Sequence, residues 1–298
     1  MPGHSTSRSG PFAKPGERLM SDLRIFSYLP NPRIWKATIA ARLCGVEVEV
    51  RGSSPKELQS WLWDFDARPL SGSELAASDD TRTGKVGFAG TLPKTDAFMQ
   101  AHPFGTVPAA FSSDGTIGIF ESNSIMRAVA RLGESRFPLY GRNAYEASRV
   151  DSFLDASLVF ARDSQIYLLS LISGTVSPEI HSRMRDGFAV YAAGINQALW
   201  PDREFLVGER ISIADICFVA ELALFFNEKA RPDVLLKKGL EPILHAGVEA
   251  EFPRAFTHFA KLRKHAAFAP DMEAYLKKFE SSRQSDSERR DKTPIRGR

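Results

Sequence analysis

The chain has 298 residues, about the length of two ordinary domains, and a hydrophobic content of 43% is sufficient for substantial buried cores. The 39 Lys and Arg residues nearly balance the 36 Asp and Glu residues. The positive surplus lies in residues 1–20 and 281–298, so residues 21–280 are mildly acidic. This balance argues against a nucleic-acid-binding protein of the usual basic kind, and the lack of a long apolar run argues against a membrane-spanning helix.

Both ends of the chain are polar, and the segment between them changes its pattern once. Residues 1–20 and 281–298 are rich in Ser, Arg, Gly or Asp and have little to bury, so we predict that both tails are disordered. Alternating strand and helix patterns give way to purely helical patterns near Gly141. We therefore predict an α/β domain over 21–138 and an all-helical domain over 141–280.

The α/β domain begins with a β-α-β unit. Apolar residues predict a strand at 23–28 and a helix at 33–43 that ends at Gly45, and valines alternate with charged residues in a second strand at 46–50. The crossover between these strands should be right-handed. The remaining predicted elements are a helix at 96–101, strands at 107–111 and 117–120, and a helix at 124–132.

Residues 52–95 form a long insertion between the second strand and the next helix. The first half is apolar and aromatic, with Trp61, Trp63 and Phe65, whereas the second half is polar. Two interpretations are open. The aromatic residues form a local core or a dimer contact, or they form a wall or lid over a pocket for an aromatic substrate.

The second domain contains two long predicted helices, at 144–172 and 178–199. Further along the chain, Ser212-Ile213-Ala214-Asp215 is a capping box, in which the Asp215 carboxylate reaches back to the Ser212 N–H. Such a box needs no ligand, so the motif by itself predicts a folding element.

Two short segments of the first domain carry residue types suited to binding. Pro108 stands at the start of a strand, where a cis peptide bond is one way to form a bend. Glu121 and Ser122 precede a helix, whose N-terminal N–H groups and the Ser122 hydroxyl can hold a carboxylate while Glu121 holds an ammonium group. One α-amino acid head group would satisfy both, although Glu-Ser before a helix is also an ordinary cap.

These motifs together resemble the cytosolic glutathione transferases. The resemblance covers roughly residues 23–280 and depends on FGTVP at 104–108, FESNSI at 120–125 and FLVGERISIAD at 205–215, in this order. Within the superfamily, residues 27–36 are most similar to the transferase-like domain of the gamma subunit of eukaryotic elongation factor 1. The implied fold is a thioredoxin-like α/β domain that binds glutathione, followed by an all-α domain that supplies the pocket of the second substrate.

The resemblance also implies how glutathione, the co-substrate, would bind. Thr106, Val107 and Pro108 would form the exposed strand edge, with the Val107 backbone pairing with the cysteinyl part of the peptide and Pro108 in a cis bond. Glu121 and Ser122 would hold the γ-glutamyl head group. Thr106 stands where the family often has Lys, Gln or Arg for the glycyl end, so His102 and Lys94 are alternative candidates for that contact.

The thiol-activating residue of the family lies near the end of the first strand, where this chain has Ser27, Tyr28, Asn31 and Arg33. Asn31 aligns with the serine of several classes, and its amide could stabilise a thiolate with help from Arg33 and the helix N-terminus. The alternative is that Asn31 only caps the helix and that Ser27 or Tyr28 is the donor.

The leading function hypothesis is a glutathione transferase that activates the thiolate for attack on a hydrophobic, aromatic electrophile by conjugation, dehalogenation or cleavage of a lignin-type aryl ether. The alternative is a non-catalytic protein-interaction scaffold like the elongation factor subunit. We expect a homodimer or a heterodimer with a related chain, and no nucleic-acid or membrane partner. Because Cys44 and Cys217 suggest no disulfide and the histidines have no metal-ligand spacing, a cytoplasmic protein without a metal site is expected.

Overall fold

The computed structural model describes residues 21–79, 81–84, 88 and 90–290, with side chains as far as Phe279. The strands are β1 (Leu23–Tyr28), β2 (Val48–Ser53), β3 (Trp61–Leu62), β4 (Arg68–Pro69), β5 (Thr81–Thr83), β6 (Thr91–Pro93), β7 (Ala109–Ser112) and β8 (Gly118–Phe120). The helices of the first domain are α1 (Pro32–Cys44), α2 (Gly72–Ala76), α3 (Asp96–Ala101) and α4 (Ser122–Leu132). Those of the second are α5 (Ala144–Ser173), α6 (Pro178–Ala198), α7 (Ile213–Phe225), α8 (Pro232–Lys237), α9 (Ala246–Glu251), α10 (Pro253–Leu262) and α11 (Ala269–Arg290).

The first domain is built on a sheet with the strand order β2-β1-β7-β8. The β1–β2 pair is parallel, and β7 is antiparallel to both β1 and β8. Successive residues of β1 point to opposite faces of the sheet. Ile25 packs in the core formed with α1 and α4, whereas Phe26 packs in the core formed with α3. The predicted α/β thioredoxin-like domain is therefore confirmed, with β2 and β7 each starting two residues later than predicted.

The first helix begins and ends within one residue of the predicted bounds, 33–43. The Asn31 side chain accepts from the N–H of Arg33, Pro32 occupies the first helical turn, and Gly45 ends the helix with φ 67°. A left-handed residue at this position favours glycine because a Cβ is disfavoured there. The helix is buried on several sides because α4, α7 and α11 all contact it.

The inserted segment forms a second small core on the α3 face of the sheet. Trp63 is 1% exposed and meets Phe26, Phe88 and Phe98 edge-on, with ring centroids 5.4, 5.3 and 5.9 Å away. The short strand pairs β3–β4 and β5–β6 support this aromatic cluster. The structure thus has the local-core arrangement, and Trp63 is unavailable to line a pocket.

The second domain is all-helical, as predicted. Helix α7 lies at its centre, and nearly all of its residues are buried, including the charged Asp215 and Glu221. It begins at the predicted capping box, where Ser212 N donates to Asp215 Oδ2 at 2.8 Å. The other carboxylate oxygen accepts from Leu206 N at 2.9 Å and lies 2.9 Å from His258 Nε2. Asp215 therefore connects three segments of the domain, which is more than a helix cap requires.

The tails differ from the prediction in one respect. Helix α11 continues to Arg290, ten residues past the boundary that we predicted for the disordered C-terminal tail. Extending an existing helix by one residue is much less costly than starting one, so a polar segment can follow a packed one in helical form. Residues 1–20 and 291–298, where disorder was also predicted, lie outside the described residues.

Candidate functional site

Three chain segments with predicted roles meet at one end of the central sheet. The pairing of Phe26 with Ala109 and of Ala109 with Phe120 aligns the end of β1, the start of β7 and the end of β8. The loop that leads into α1, residues 106–108, and the first residues of α4 therefore share this end. The positive ends of two helix dipoles, α1 and α4, also lie there, which favours an anion at this location.

The β7 segment begins with the predicted cis bond, Val107–Pro108. The pairing of β7 with both neighbours starts only at Ala109, so Val107 lies outside the ladder. Thr106, Val107 and Pro108 are all half-buried. This arrangement gives the site a strand edge at which an extended peptide could pair.

The α4 segment combines an unusual backbone with a polar side chain. Glu121, just before the helix, has φ 66°, and it is the one non-glycine residue with positive φ in the described part of the chain. Such a conformation costs about 1–3 kcal/mol, and strained residues of this kind cluster at ligand sites. Glu121 is exposed, whereas Ser122 is only 8% exposed.

The α1 segment places Ser27 and Asn31 away from the surface. Asn31 Nδ2 donates to Ser27 Oγ at 3.0 Å, and Asn31 Oδ1 accepts from Arg33 N at 3.0 Å. Both residues are 0% exposed, so in this conformation neither has surface with which to contact a ligand. The arrangement matches the alternative in which Asn31 caps the helix.

Arg33, in contrast, lies at the junction of the two domains and is partly exposed. Its guanidinium donates to Gln165 Oε1 at 2.9 Å and to the Ala161 carbonyl at 3.0 Å, and both partners lie on α5. Its Nε lies 3.5 Å from Glu221 Oε1, and 17% of the side chain is exposed. Since a guanidinium has five N–H groups, Arg33 retains donors for an anion at this junction.

Behind Ser122 lies a buried group of polar residues that we call the interdomain charge cluster: Arg33, Lys36, Ser122, Asn123 and Glu221. Lys36 Nζ donates to Glu221 Oε1 at 2.6 Å, to Asn123 Oδ1 at 2.7 Å and to Ser122 Oγ at 3.3 Å. Lys36 and Glu221 are each 1% exposed. Burial raises the pKa of Glu221, but Lys36 and Arg33 outweigh that effect, so its pKa lies below the usual value.

Glu221 was not predicted from the sequence, and Lys36 was considered only as part of a motif. The available signal was that each is a charge isolated in a helix with otherwise apolar surroundings, at 34–40 and 216–225. Charges in such positions are rarely buried unless they are paired. Nothing in the sequence shows that these two, 185 positions apart, are partners.

Two tyrosines also line this region. Tyr28 is half-buried at the end of β1, and burial raises the pKa of its hydroxyl, while Arg33 lowers it and Glu221 raises it. Tyr275 of α11 accepts from Asn227 Nδ2 at 2.6 Å, and burial raises its pKa to about 12. Both phenols therefore remain neutral hydrogen-bond donors at neutral pH. Tyr275 was not identified from the sequence.

The two residues considered for a glycyl end have different environments. Lys94 Nζ donates to the Gly105 carbonyl at 2.6 Å and lies 4.6 Å from the centre of the Trp63 ring. His102 is 1% exposed and stacks on Phe98, and its ring nitrogens have no partner within the described part of the chain. Burial lowers the pKa of both residues. Both side chains are buried, with Lys94 5% and His102 1% exposed, but only the Lys94 ammonium group contacts the loop before Val107.

The fold is a thioredoxin-like domain followed by a helical domain. Helix N-termini and cationic side chains lie at the junction of the two domains. A solved glutathione transferase from Phanerochaete chrysosporium, with oxidized glutathione, has the same fold: the TM-score is 0.57 at 16% identity, over 86% of this chain and 96% of that one. The chain thus has the glutathione transferase fold, as predicted.

Sequence comparison is more specific. The chain is 32% identical over 143 residues to elongation factor 1-gamma of Trypanosoma cruzi. The matched region covers 46% of this chain and 32% of that protein. It is 31% identical over 128 residues to a glutathione S-transferase-like protein of Aspergillus aculeatus, which covers 42% of this chain and 56% of that one. The predicted resemblance to the glutathione transferase superfamily and to elongation factor 1 gamma is therefore confirmed.

The sequence matches cover only part of these relatives. The matched region spans only about a third to somewhat over half of the length of these two relatives. No protein-family model matches the chain. Within the described residues, no helix is both long and apolar enough to cross a membrane.

Proposed function

We propose that this protein is a glutathione transferase that activates the glutathione thiolate for attack on a hydrophobic, aromatic electrophile. The observation that carries the proposal is the strained Glu121 backbone beside the buried Ser122, at the sheet end where cis Val107–Pro108 and the start of α1 also lie. A backbone conformation that costs free energy persists only where the surrounding structure enforces it. The relative from Phanerochaete chrysosporium was solved with oxidized glutathione, in agreement with this ligand.

The head group of glutathione is assigned to Ser122 and Glu121. Ser122 Oγ accepts from Lys36 Nζ, so its own proton is free to be donated to the γ-glutamyl carboxylate. The N-terminal N–H groups of α4 add to this attraction. The exposed Glu121 carboxylate is suited to the ammonium group, and the unpaired Val107 backbone is suited to the cysteinyl residue.

The glycyl carboxylate is assigned to Lys94. Its ammonium group lies against the Gly105 carbonyl, beside Thr106, where the family often supplies a basic residue or Gln. Thr106 itself would contribute only its hydroxyl. His102 is a poorer candidate because it is only 1% exposed and burial lowers its pKa, which favours the uncharged ring.

We assign thiolate stabilisation to Arg33, assisted by the α1 N-terminus, and not to Asn31 or Ser27. Lowering a thiol pKa by two units requires about 2.7 kcal/mol of preferential stabilisation of the thiolate. A unit charge about 5 Å away supplies about 3 kcal/mol at an effective dielectric constant of about 20. Tyr28, a neutral donor at the end of β1, would add a hydrogen bond.

We assign the electrophile site to the domain junction beside Arg33. Gln165, the partner of Arg33, is flanked on α5 by Leu158 and Leu169, which are 41% and 48% exposed. Because Leu158 and Leu169 lie on the same helix as the partner of Arg33, they could hold an apolar, aromatic molecule with its reacting carbon directed toward the thiolate. Conjugation, dehalogenation and aryl ether cleavage all use this arrangement, and the substrate class is to be decided by activity screening.

Calorimetry with glutathione, followed by titration of thiolate absorbance, tests the proposal. We expect binding with a thiol pKa below that of free glutathione, and weaker binding after Ser122→Ala or Glu121→Ala. Ser124→Ala, on the same helix, is the matched control and should bind as wild type does. Unchanged binding in both Ser122→Ala and Glu121→Ala would refute the site assignment.

A non-catalytic scaffold for a protein partner is the second candidate, favoured by the match to elongation factor 1-gamma and by the mutual hydrogen bond that occupies Ser27 and Asn31. In that case the protein would not lower the thiol pKa of glutathione, and no electrophile in a panel of halogenated aromatics and aryl ethers would react. A lowered thiol pKa with turnover would exclude this candidate.

We further propose that the protein is a cytoplasmic dimer of two copies of this chain. Helix α5 also exposes Val159 and Ile166, and α6 exposes Val190, with 69%, 45% and 75% of these residues accessible. Exposed apolar residues on adjacent helices favour a protein contact over solvent. A heterodimer with a related chain is the other possible outcome. The chain purified alone would have twice its own mass in solution if it forms a homodimer, and a single mass if it needs a related chain.

A further inference from the structure

The interdomain charge cluster contains one group with an unused hydrogen-bonding position. A protonated lysine has three N–H groups, and those of Lys36 are all used, by Ser122, Asn123 and Glu221. Glu221 differs, because its Oε2 is buried and has no partner among the described residues. A structural ion pair alone would be expected to satisfy both carboxylate oxygens, so the half-satisfied Glu221 calls for a functional explanation.

The cluster also carries a surplus of charge. Arg33 and Lys36 are cationic and Glu221 is anionic, which leaves one positive charge. The neighbouring titratable groups do not offset it, because burial raises the pKa of Tyr28, Tyr191 and Cys217, and so all three remain neutral at pH 7. Cys217 is tied to Ser157 Oγ at 3.0 Å and Asn123 Oδ1 at 3.4 Å. The surplus positive charge therefore attracts an anion that binds beside the partly exposed Arg33.

The cluster connects Ser122 and Arg33 through the same carboxylate. Glu221 Oε1 lies 2.6 Å from Lys36 Nζ and 3.5 Å from Arg33 Nε. Lys36 in turn contacts Ser122 Oγ. A single side chain of the helical domain thus orients both the hydroxyl assigned to the γ-glutamyl carboxylate and the guanidinium assigned to the thiolate.

We infer that Glu221 is a positioning residue of the glutathione site: through Lys36 it holds the Ser122 hydroxyl toward the bound carboxylate, and by its charge it limits how strongly Arg33 and Lys36 attract the thiolate. The inference rests on the proposed function. It adds a contribution of the helical domain to the binding of glutathione itself, beyond the pocket for the second substrate.

The test is Glu221→Gln, which keeps an oxygen for Lys36 and removes one negative charge. Two positive charges then remain in the cluster. Removing a unit charge about 10 Å from the thiolate, at an effective dielectric constant of about 20, shifts the thiol pKa by about one unit. We therefore expect the thiol pKa of bound glutathione to fall by about one unit. Glu228→Gln is the matched control, because Glu228 is also 1% exposed but binds Tyr167, Ile243 N and Leu244 N instead.

A second variant keeps the inference testable if Glu221→Gln does not fold. Lys36→Met combined with Glu221→Gln removes both charges of the pair and leaves Arg33 as the surplus. We expect the thiol pKa to match that of wild type, while the affinity for glutathione falls about tenfold, the equivalent of one lost hydrogen bond to a charged group. A structural role alone predicts unchanged affinity in every variant that folds.

The outcomes separate the inference from the proposed function. If wild type binds glutathione but the thiol pKa in Glu221→Gln is the same as in Glu228→Gln, the inference is wrong and the proposed function stands. Wild-type affinity in the folded double variant also overturns it. If wild type itself does not bind glutathione, the proposed function and the inference both fall.

Discussion

The capping box at the start of α7 leads to a quantitative prediction. Replacing Asp215 with Ala leaves three buried partners without their acceptor: Ser212, Leu206 and His258. A buried polar group that loses its partner costs about 1–3 kcal/mol, so we expect the free energy of unfolding to fall by about 3 kcal/mol or more. An ordinary helix cap contributes only about 1 kcal/mol.

Urea unfolding followed by tryptophan fluorescence measures this difference from the shift of the midpoint at constant slope. Helix α2 offers a matched control, since Ser71 and Glu74 form the same capping box on the exposed surface. Glu74→Ala removes the same kind of cap in water, and we expect a much smaller midpoint shift. If Asp215→Ala shifts the midpoint no more than Glu74→Ala does, the argument that burial determines the cost of this residue is wrong.

Three further predictions concern the site and the assembly. Arg33→Met should raise the thiol pKa of bound glutathione by about one unit or more, opposite in sign to Glu221→Gln, whereas Arg185→Met on the exposed face of α6 should leave it unchanged; thiolate absorbance decides. Val159→Asp should halve the mass measured by light scattering, and Leu236→Asp, at another exposed apolar residue, should not; a wild-type monomer would refute the dimer. Because the pKa of Glu221 in the folded protein lies below its ordinary 4.5, its contribution to stability is present above pH 4.5 and is lost as the pH falls through the folded-state value. Wild type should therefore lose more stability between pH 6 and pH 3 than Glu221→Gln does, and parallel pH profiles would contradict this.

The sequence of the inserted segment does not determine which way its aromatic side chains point. Its aromatic residues predicted either a local core or a substrate wall, and composition is the same in both cases. The choice depends on which way the rings point. Phe26 of β1 faces the insertion with its ring centroid 5.4 Å from that of Trp63, so the apolar face of the sheet attracts these rings and the local core results.

The loop before α1 shows the same limit at the level of single hydrogen bonds. Asn31 was assigned either to the thiol or to the helix cap, and both roles need the same amide at the same position. In the structure its two polar atoms are satisfied by Ser27 and by the N–H of Arg33. A side chain without exposed surface cannot act on a ligand in that conformation, so Arg33, two residues later and partly exposed, is the better candidate.

The sequence by itself determined the elements whose signals are local. The first helix, predicted at 33–43 and observed at Pro32–Cys44, and the capping box at Ser212 both depend on nearby residues. The same holds for the change from an α/β pattern to an all-helical one. Only the tertiary structure decided that Lys36 pairs with Glu221. The free energy of a buried charge depends on what surrounds it in space, and here the partner comes from a different domain, 185 positions along the chain.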